Sequence, residues 1–203
     1  MLDITLSHEI IVNSICLLWF ALCWVGYTYY AKRQATKKPC LATELHKYRE
    51  LWMQRVMLRE IRVGDASLIA NLERNVSFLA STAILILAGL LTLFTVSDEI
   101  TGLVEKIPFS LNSSYSSVQL KTLLLVVIFV YAFFTFTWSM RQYGVCSIIL
   151  GGAPSPDENV SDEERDEYAV YAARALDWAG MSYNHDLRAV YFAFAVCAWS
   201  MTR

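Results

Sequence analysis

Residues 76–96 read VSFLASTAILILAGLLTLFTV, an unbroken run with no charged side chain. A helix rises about 1.5 Å per residue, so roughly twenty apolar residues cross the ~30 Å hydrocarbon layer of a bilayer. The run is that long, and only hydroxyls and one glycine interrupt its apolar character. It predicts a membrane-spanning helix. Two similar runs lie on either side. Residues 120–139, LKTLLLVVIFVYAFFTFTWS, are unusually aromatic, with Phe129, Tyr131, Phe133, Phe134, Phe136 and Trp138. Residues 10–31, IIVNSICLLWFALCWVGYTYYA, carry Trp19 and Trp24, then Tyr27, Tyr29 and Tyr30 where an aromatic interface belt would lie.

A cleaved signal peptide would need a positive leading region and a shorter apolar stretch. Here Asp3 and Glu9 precede or open the run, and Lys32, Arg33, Lys37 and Lys38 follow it. The first run is expected to be a retained anchor with its N-terminus outside the cytoplasm. A fourth run begins at Leu187 and continues through Val190, Phe192, Phe194, Val196 and Trp199. Residues 187–201 fall short of the roughly twenty that a span needs. A natural chain continuing past Arg203 is the expectation that follows.

The whole composition agrees with this reading. The chain has 203 residues, a length suited to one domain, with 56% hydrophobic and only 18% charged residues. A soluble domain carries charge on about a quarter of its residues. The expected fold is all-α: an integral membrane helical bundle of about four transmembrane helices in a single membrane domain, residues 1–203. The spans lie near 10–31, 76–96, 120–139 and 187–201, with cytoplasmic segments 32–75 and 140–186. Five cysteines, Cys16, Cys23, Cys40, Cys146 and Cys197, form no C-x-x-C pair and read as small buried hydrophobes. No zinc-finger spacing or basic, aromatic-laced face points to nucleic acid.

Lys and Arg set orientation. Ten of them lie between the first two runs, from Lys32 to Arg74, whereas residues 97–119 hold only Lys106. Arg141, Arg165, Arg174 and Arg188 follow the third run. Segments 32–74 and 141–186 should therefore face the cytoplasm, and 97–119 should lie opposite, as in a bacterial inner membrane. Leu45, Tyr48, Trp52 and Val56 recur at helical spacing within 44–63, which predicts an amphipathic in-plane helix with Arg55 and Arg59 near lipid phosphates. Gly64-Asp65 should break it, with Asp65 capping the next helix. In the other segment Gly151-Gly152-Ala153-Pro154-Ser155-Pro156 predicts a turn and Ser161-Asp162-Glu163-Glu164 a capping box. Tyr168, Ala172, Leu176 and Ala179 supply an apolar stripe, and Gly180 should end that helix.

Catalytic constellations are hard to find. The histidines His8, His46 and His185 lie near surfaces and do not face one another inside spans, so capping or interfacial roles suit them better than a haem. His185-Asp186 beside Asp157, Glu158 and the acids from Asp162 to Glu167 could suggest a metal site, but most of those carboxylates sit in the first turn of a helix, where the helix dipole and water favour them. There is no H-E-x-x-H, nucleophile elbow or phosphate loop. No cofactor is expected, and the chain reads as a binding or structural protein and not an enzyme, in the plain sense that no reacting group stands out. The span cores carry no central Asp, Glu, Lys or Arg, which a proton or ion path normally would. Ser77, Ser81, Ala88 and Gly89 form a small-residue ridge suited to close helix approach. Asn75, Ser77, Ser81, Arg141, Gln142, Asn184 and Arg188 are the candidate polar pocket or interface.

Several stretches together resemble a bacterial and plant membrane family catalogued as domain of unknown function 599. They are Tyr48-Arg49 with Trp52-Met53, Asp65 with Leu68-Ile69 and Asn71-Leu72, and Ser77 to Thr82 with Ala88-Gly89-Leu90. Phe136-Thr137-Trp138 with Arg141-Gln142-Tyr143, and Leu187 to Phe192, continue the likeness over nearly the whole chain. Members of that family usually carry Phe-Asn-x-Gly where this chain has Tyr183-Asn184-His185-Asp186, and they continue into a basic tail. The resemblance implies a membrane protein and brings no activity or cofactor. The expected role is a non-enzymatic accessory or scaffolding subunit, with the lipid bilayer and other membrane subunits as partners. The alternative is a small transporter or channel-like protein with a cytoplasm-facing polar pocket.

Overall fold

A computed structural model describes residues 2–37, 41–95 and 115–201, and these residues form five helices: α1 (Leu2–Lys37), α2 (Leu41–Met57), α3 (Val63–Thr95), α4 (Tyr115–Gly151) and α5 (Asp162–Met201). The fold is all-α among the described residues. Three helices contain stretches long and apolar enough to cross a membrane: Ile11–Ala31, Val63–Thr95 and Val118–Gly151. The first three apolar runs of the sequence lie in these helices, apart from Val96, which falls outside the described residues. Most of the segment expected opposite the cytoplasm, 97–119, falls outside them as well.

The helices are longer than the apolar runs that announce them. The 33 residues of α3 and the 37 of α4 reach about 50 and 55 Å at helical rise, well past a hydrocarbon layer. Much of what the sequence suggested as connecting segment is therefore continued helix. Inside α3, Ser81 Oγ donates to the Ser77 carbonyl at 2.9 Å and Thr82 Oγ1 to that of Phe78 at 2.9 Å. Thr92 Oγ1 does the same to Ala88 at 3.0 Å. These hydroxyls satisfy themselves one turn back, so an apolar helix tolerates them.

Two expected helix boundaries are corrected. Gly64-Asp65 does not break a helix: α2 ends at Met57, residues 58–62 form the turn, and both residues already belong to the first turn of α3. Nor does Gly180 end one. α5 runs through it without interruption for 40 residues, so the fourth apolar run is the far end of a long helix. A mid-helix glycine costs only about 1 kcal/mol relative to alanine, which packing on either side of it outweighs. The capping box is in place: Glu164 N–H donates to Ser161 Oγ at 3.2 Å and Ser161 N–H to Glu164 Oε2 at 3.2 Å. Gly151 closes α4 at the expected turn.

The chain forms two compact units. One comprises Met1–Pro39, Ala88–Val127 and Phe192–Arg203; the other comprises Cys40–Leu87 and Ile128–Tyr191. In the first, an aromatic cluster joins α1 to α5. The Trp24 and Phe192 rings stack at 5.2 Å between centroids, and Phe20 meets Phe192 edge-on at 5.8 Å. The second unit has the larger core. Met53, Val56 and Met57 of α2, Ile69, Val76 and Ala80 of α3, Phe136 of α4, and an alanine stripe on α5 (Ala169, Ala172, Ala173, Ala179) are all buried. Alanine keeps helix backbones close, so polar groups on facing helices come within bonding distance.

Candidate functional site along the helix seams of the second unit

The polar residues of the second unit are organised around three acids, each set by a different pair of elements. Asp177, on α5, receives α2. Arg49 Nη1 donates to its Oδ1 at 2.5 Å, and His46 Nδ1 pairs with its Oδ2. The Arg49 and Asp177 side chains are 23% and 14% exposed, so water screens the pair only in part. Gly180 makes this possible. A Cβ built on it would lie 2.7 Å from Arg49 Nη2 and 3.3 Å from Cζ. The guanidinium therefore occupies the volume a side chain would take, which is why glycine stands inside a helix here.

Asp65 is the second acid and is buried to 2% exposure. It does not serve as the expected cap. Its Oδ1 accepts from Trp52 Nε1 at 2.7 Å and from Arg59 Nη1 at 2.6 Å, which folds the turn between α2 and α3 back on itself. Arg62, three residues on, reaches the turn that follows α4. Its Nη1 donates to the Ala153 carbonyl at 2.6 Å and its Nη2 to that of Pro154 at 2.5 Å. Arg59 and Arg62 thus hold protein acceptors. Of the expected amphipathic stripe, Val56 is buried and Trp52 half-buried, whereas Leu45 and Tyr48 are exposed. The buried face of α2 runs instead through Met53, Val56 and Met57.

The third acid, Asp186, lies on the seam between α4 and α5. The two helices run antiparallel here, because Thr135 meets Asp186, Ser139 Oγ donates to the Ala179 carbonyl at 3.3 Å, and Tyr168 Oη donates to that of Ile149 at 2.7 Å. Gln142 Nε2 reaches Ser182 Oγ at 2.9 Å. Asp186 is 3% exposed. The Thr135 hydroxyl, which also donates to the Ala132 carbonyl at 3.1 Å, is its hydroxyl neighbour, its Oδ2 is buried with no hydrogen-bond partner, and His185 Nδ1 sits 3.9 Å from Oδ1. It stands one residue before the fourth apolar run. Burial pushes its carboxyl up to about 6, against the opposing pull of the Thr135 hydrogen bond. Gln142 Oε1 is also buried without a partner.

The seven residues of the expected pocket are placed differently from one another. Gln142 is drawn into the α4–α5 seam. Asn75, Ser81, Arg141 and Asn184 are exposed, Ser77 and Arg188 half-buried. Ser81 bonds back to Ser77 within α3, and the Arg141 guanidinium lies 5.8 Å from the Trp138 ring centroid. Sequence reasoning weighed Asp186 only beside His185 and left it, with Thr135, Ser139 and Ser182, out of the candidate pocket. A signal was present: 172, 176 and 179 continue at helical spacing to 186, 189, 193 and 196, so Asp186 lies on the buried stripe. Ending the helix at Gly180 hid that register. In the first unit Lys121 is likewise buried, at 3% exposure, its Nζ donating to the Trp199 carbonyl at 3.3 Å and lying 5.0 Å from that ring's centroid.

Among the described residues, no three His, Cys, Asp or Glu side chains converge as a metal site would require. A family model described as "Protein of unknown function, DUF599" matches residues 15–202, so the chain belongs to that family. No curated protein and no solved structure matches it.

Proposed function

We propose that this member of the family is a multi-pass protein, crossing the bilayer about four times as one membrane domain, that serves as a non-enzymatic accessory or scaffolding subunit of a membrane complex. One observation carries the reading. On α3, Ser81, Ala88 and Gly89 are exposed, and a Cβ added to Gly89 would meet nothing within 4 Å. Small residues on a span admit the backbone of another helix, and here that room is open. Other membrane subunits are the proposed partners, beside the bilayer. Extraction from host membranes in mild detergent, followed by native mass measurement, should give a species larger than one chain, and Ala88→Leu should reduce it. A lone chain at every detergent strength removes the proposal.

The same reading places the N-terminus outside, in a bacterial inner membrane, with residues 32–74 and 141–186 in the cytoplasm. Its support is the concentration of Lys and Arg between the first two spans, worth roughly 1 kcal/mol each near an anionic leaflet. In a cysteine-free background, an impermeant reagent applied to intact cells should label Ser114→Cys and spare Ser67→Cys and Ser155→Cys. Labelling at either of the latter reverses the topology. A second reading, a small transporter or channel-like protein with a cytoplasm-facing pocket, is favoured by the buried, unpartnered acceptors Gln142 Oε1 and Asp186 Oδ2. Solute flux in proteoliposomes that Gln142→Leu abolishes would establish it.

A further inference from the structure

Three acids of the second unit are largely withdrawn from water, and they differ in what meets them. Asp65 has an arginine and an indole N–H; Asp177 has an arginine and an imidazole. Asp186, buried as deeply as Asp65, has a threonine hydroxyl, and its second oxygen has no partner. Transfer of an unpaired carboxylate from water into a protein interior is far more costly than transfer of the neutral acid. We propose that Asp186 is a reversible proton-binding site in the α4–α5 seam, taking up and releasing one proton while the seam stays packed. The inference goes beyond either functional reading above and depends on neither.

The surroundings specify the occupant. From α4, Thr135 bonds the carboxyl and Tyr131 lies within its electrostatic range. On α5 itself, His185 is the neighbouring titratable group, its Nδ1 3.9 Å from Oδ1, beyond hydrogen-bond reach. α3 carries no ionisable side chain from Asn75 to Leu87, and His46 and Arg49 of α2 are engaged at Asp177. One carboxylate with a hydroxyl and a phenol nearby supplies few of the six or more oxygens that a hard cation such as calcium takes. A proton needs only the carboxylate. Taking it up converts a buried charge into a neutral acid, with no other bond made or broken.

The test is a pH titration of the full chain in lipid nanodiscs, following the protonated-carboxyl C=O stretch by infrared difference spectroscopy. The wild type should show a carboxyl that gives up its proton near pH 6, about two pH units above exposed carboxylates. Asp186→Asn should lose that component. If Asp186→Asn does not fold, Asp186→Glu in protein carrying ¹³C-labelled aspartate should lose the high-midpoint aspartate band and gain an unlabelled one. Titration in the ordinary carboxylate range, or a high-midpoint aspartate band that survives either substitution, overturns the proposal. A midpoint that moves when sodium replaces choline at constant ionic strength overturns it in favour of a cation site.

Discussion

Replacing Gly180 by alanine should test the α2–α5 lock, because two effects of known sign oppose each other there. Alanine in a helix interior is favoured over glycine by roughly 0.5–1 kcal/mol. Its Cβ, however, would lie 2.7 Å from Arg49 Nη2, so the guanidinium must leave its position and weaken its 2.5 Å bond to Asp177. A hydrogen bond between charged groups contributes about 1.5–3 kcal/mol when partly shielded. The bond outweighs the propensity, and Gly180→Ala should destabilise the protein by about 1–2 kcal/mol. In an Arg49→Ala background nothing remains for the new methyl to displace. There Gly180→Ala should stabilise by about 0.5–1 kcal/mol, a change of sign. Thermal melts of the four proteins of the cycle in one detergent give the coupling. At about 2–4 °C per kcal/mol for a chain of this size, the two backgrounds should differ visibly. Gly180→Ala raising the midpoint equally in both would refute the reasoning.

Other substitutions separate the remaining contacts. Arg62→Met removes the bonds to the carbonyls of Ala153 and Pro154 together with the longer ones from Nε to those of Val56 and Arg59, and should cost about 2–3 kcal/mol; protease cleavage within residues 152–161 should accelerate correspondingly. Asp65→Leu strands the donors of Trp52 and Arg59 and should cost about 2–4 kcal/mol, but distinctly less in a Trp52→Phe, Arg59→Met background where no donor is left without an acceptor; equal costs would remove Asp65 from that network. Ser161→Ala should lose about 1 kcal/mol through the capping box, read from the melting midpoint. Asp186 predicts a pH dependence of defined sign. Its carboxyl rises from the usual 3.8 to about 6 in the folded chain, so the folded state holds a proton that the unfolded state has released. Its contribution should fall by about 3 kcal/mol between pH 4 and pH 6 and stay level above that, visible as the melting difference between wild type and Asp186→Asn.

How much could be read in advance depended on how local each interaction is. Apolar runs near residues 10–31, 76–96 and 120–139 announced helices because membrane length and hydropathy are local properties. The Ser161–Glu164 capping box was legible for the same reason, since donor and acceptor lie three residues apart. Arg59 read as phosphate-facing because a guanidinium treats a phosphate and a carboxylate alike as acceptors; only the fold decides which comes near. Gly180 read as a stop because its compensation, Arg49, lies 131 positions away along the chain. That error cost the most: it cut the α5 stripe before Asp186, and with it the α4–α5 seam on which the candidate site rests.

The spacing of these contacts along the chain has a consequence for synthesis. Asp65 is joined to Arg59 and Trp52 across 6 and 13 positions, so its partners emerge from the ribosome almost together. Arg62 must meet carbonyls 91 and 92 positions later, and Arg49 an aspartate 128 positions later. At translation rates of about 5–20 residues per second, those acceptors arrive on the order of ten seconds after the arginines. The turn around Asp65 can close at once, while Arg49 waits for its acid and Arg62 for its carbonyls. During that interval α2 is a basic helix without its acidic counterpart, and anionic lipid headgroups are the acceptors at hand.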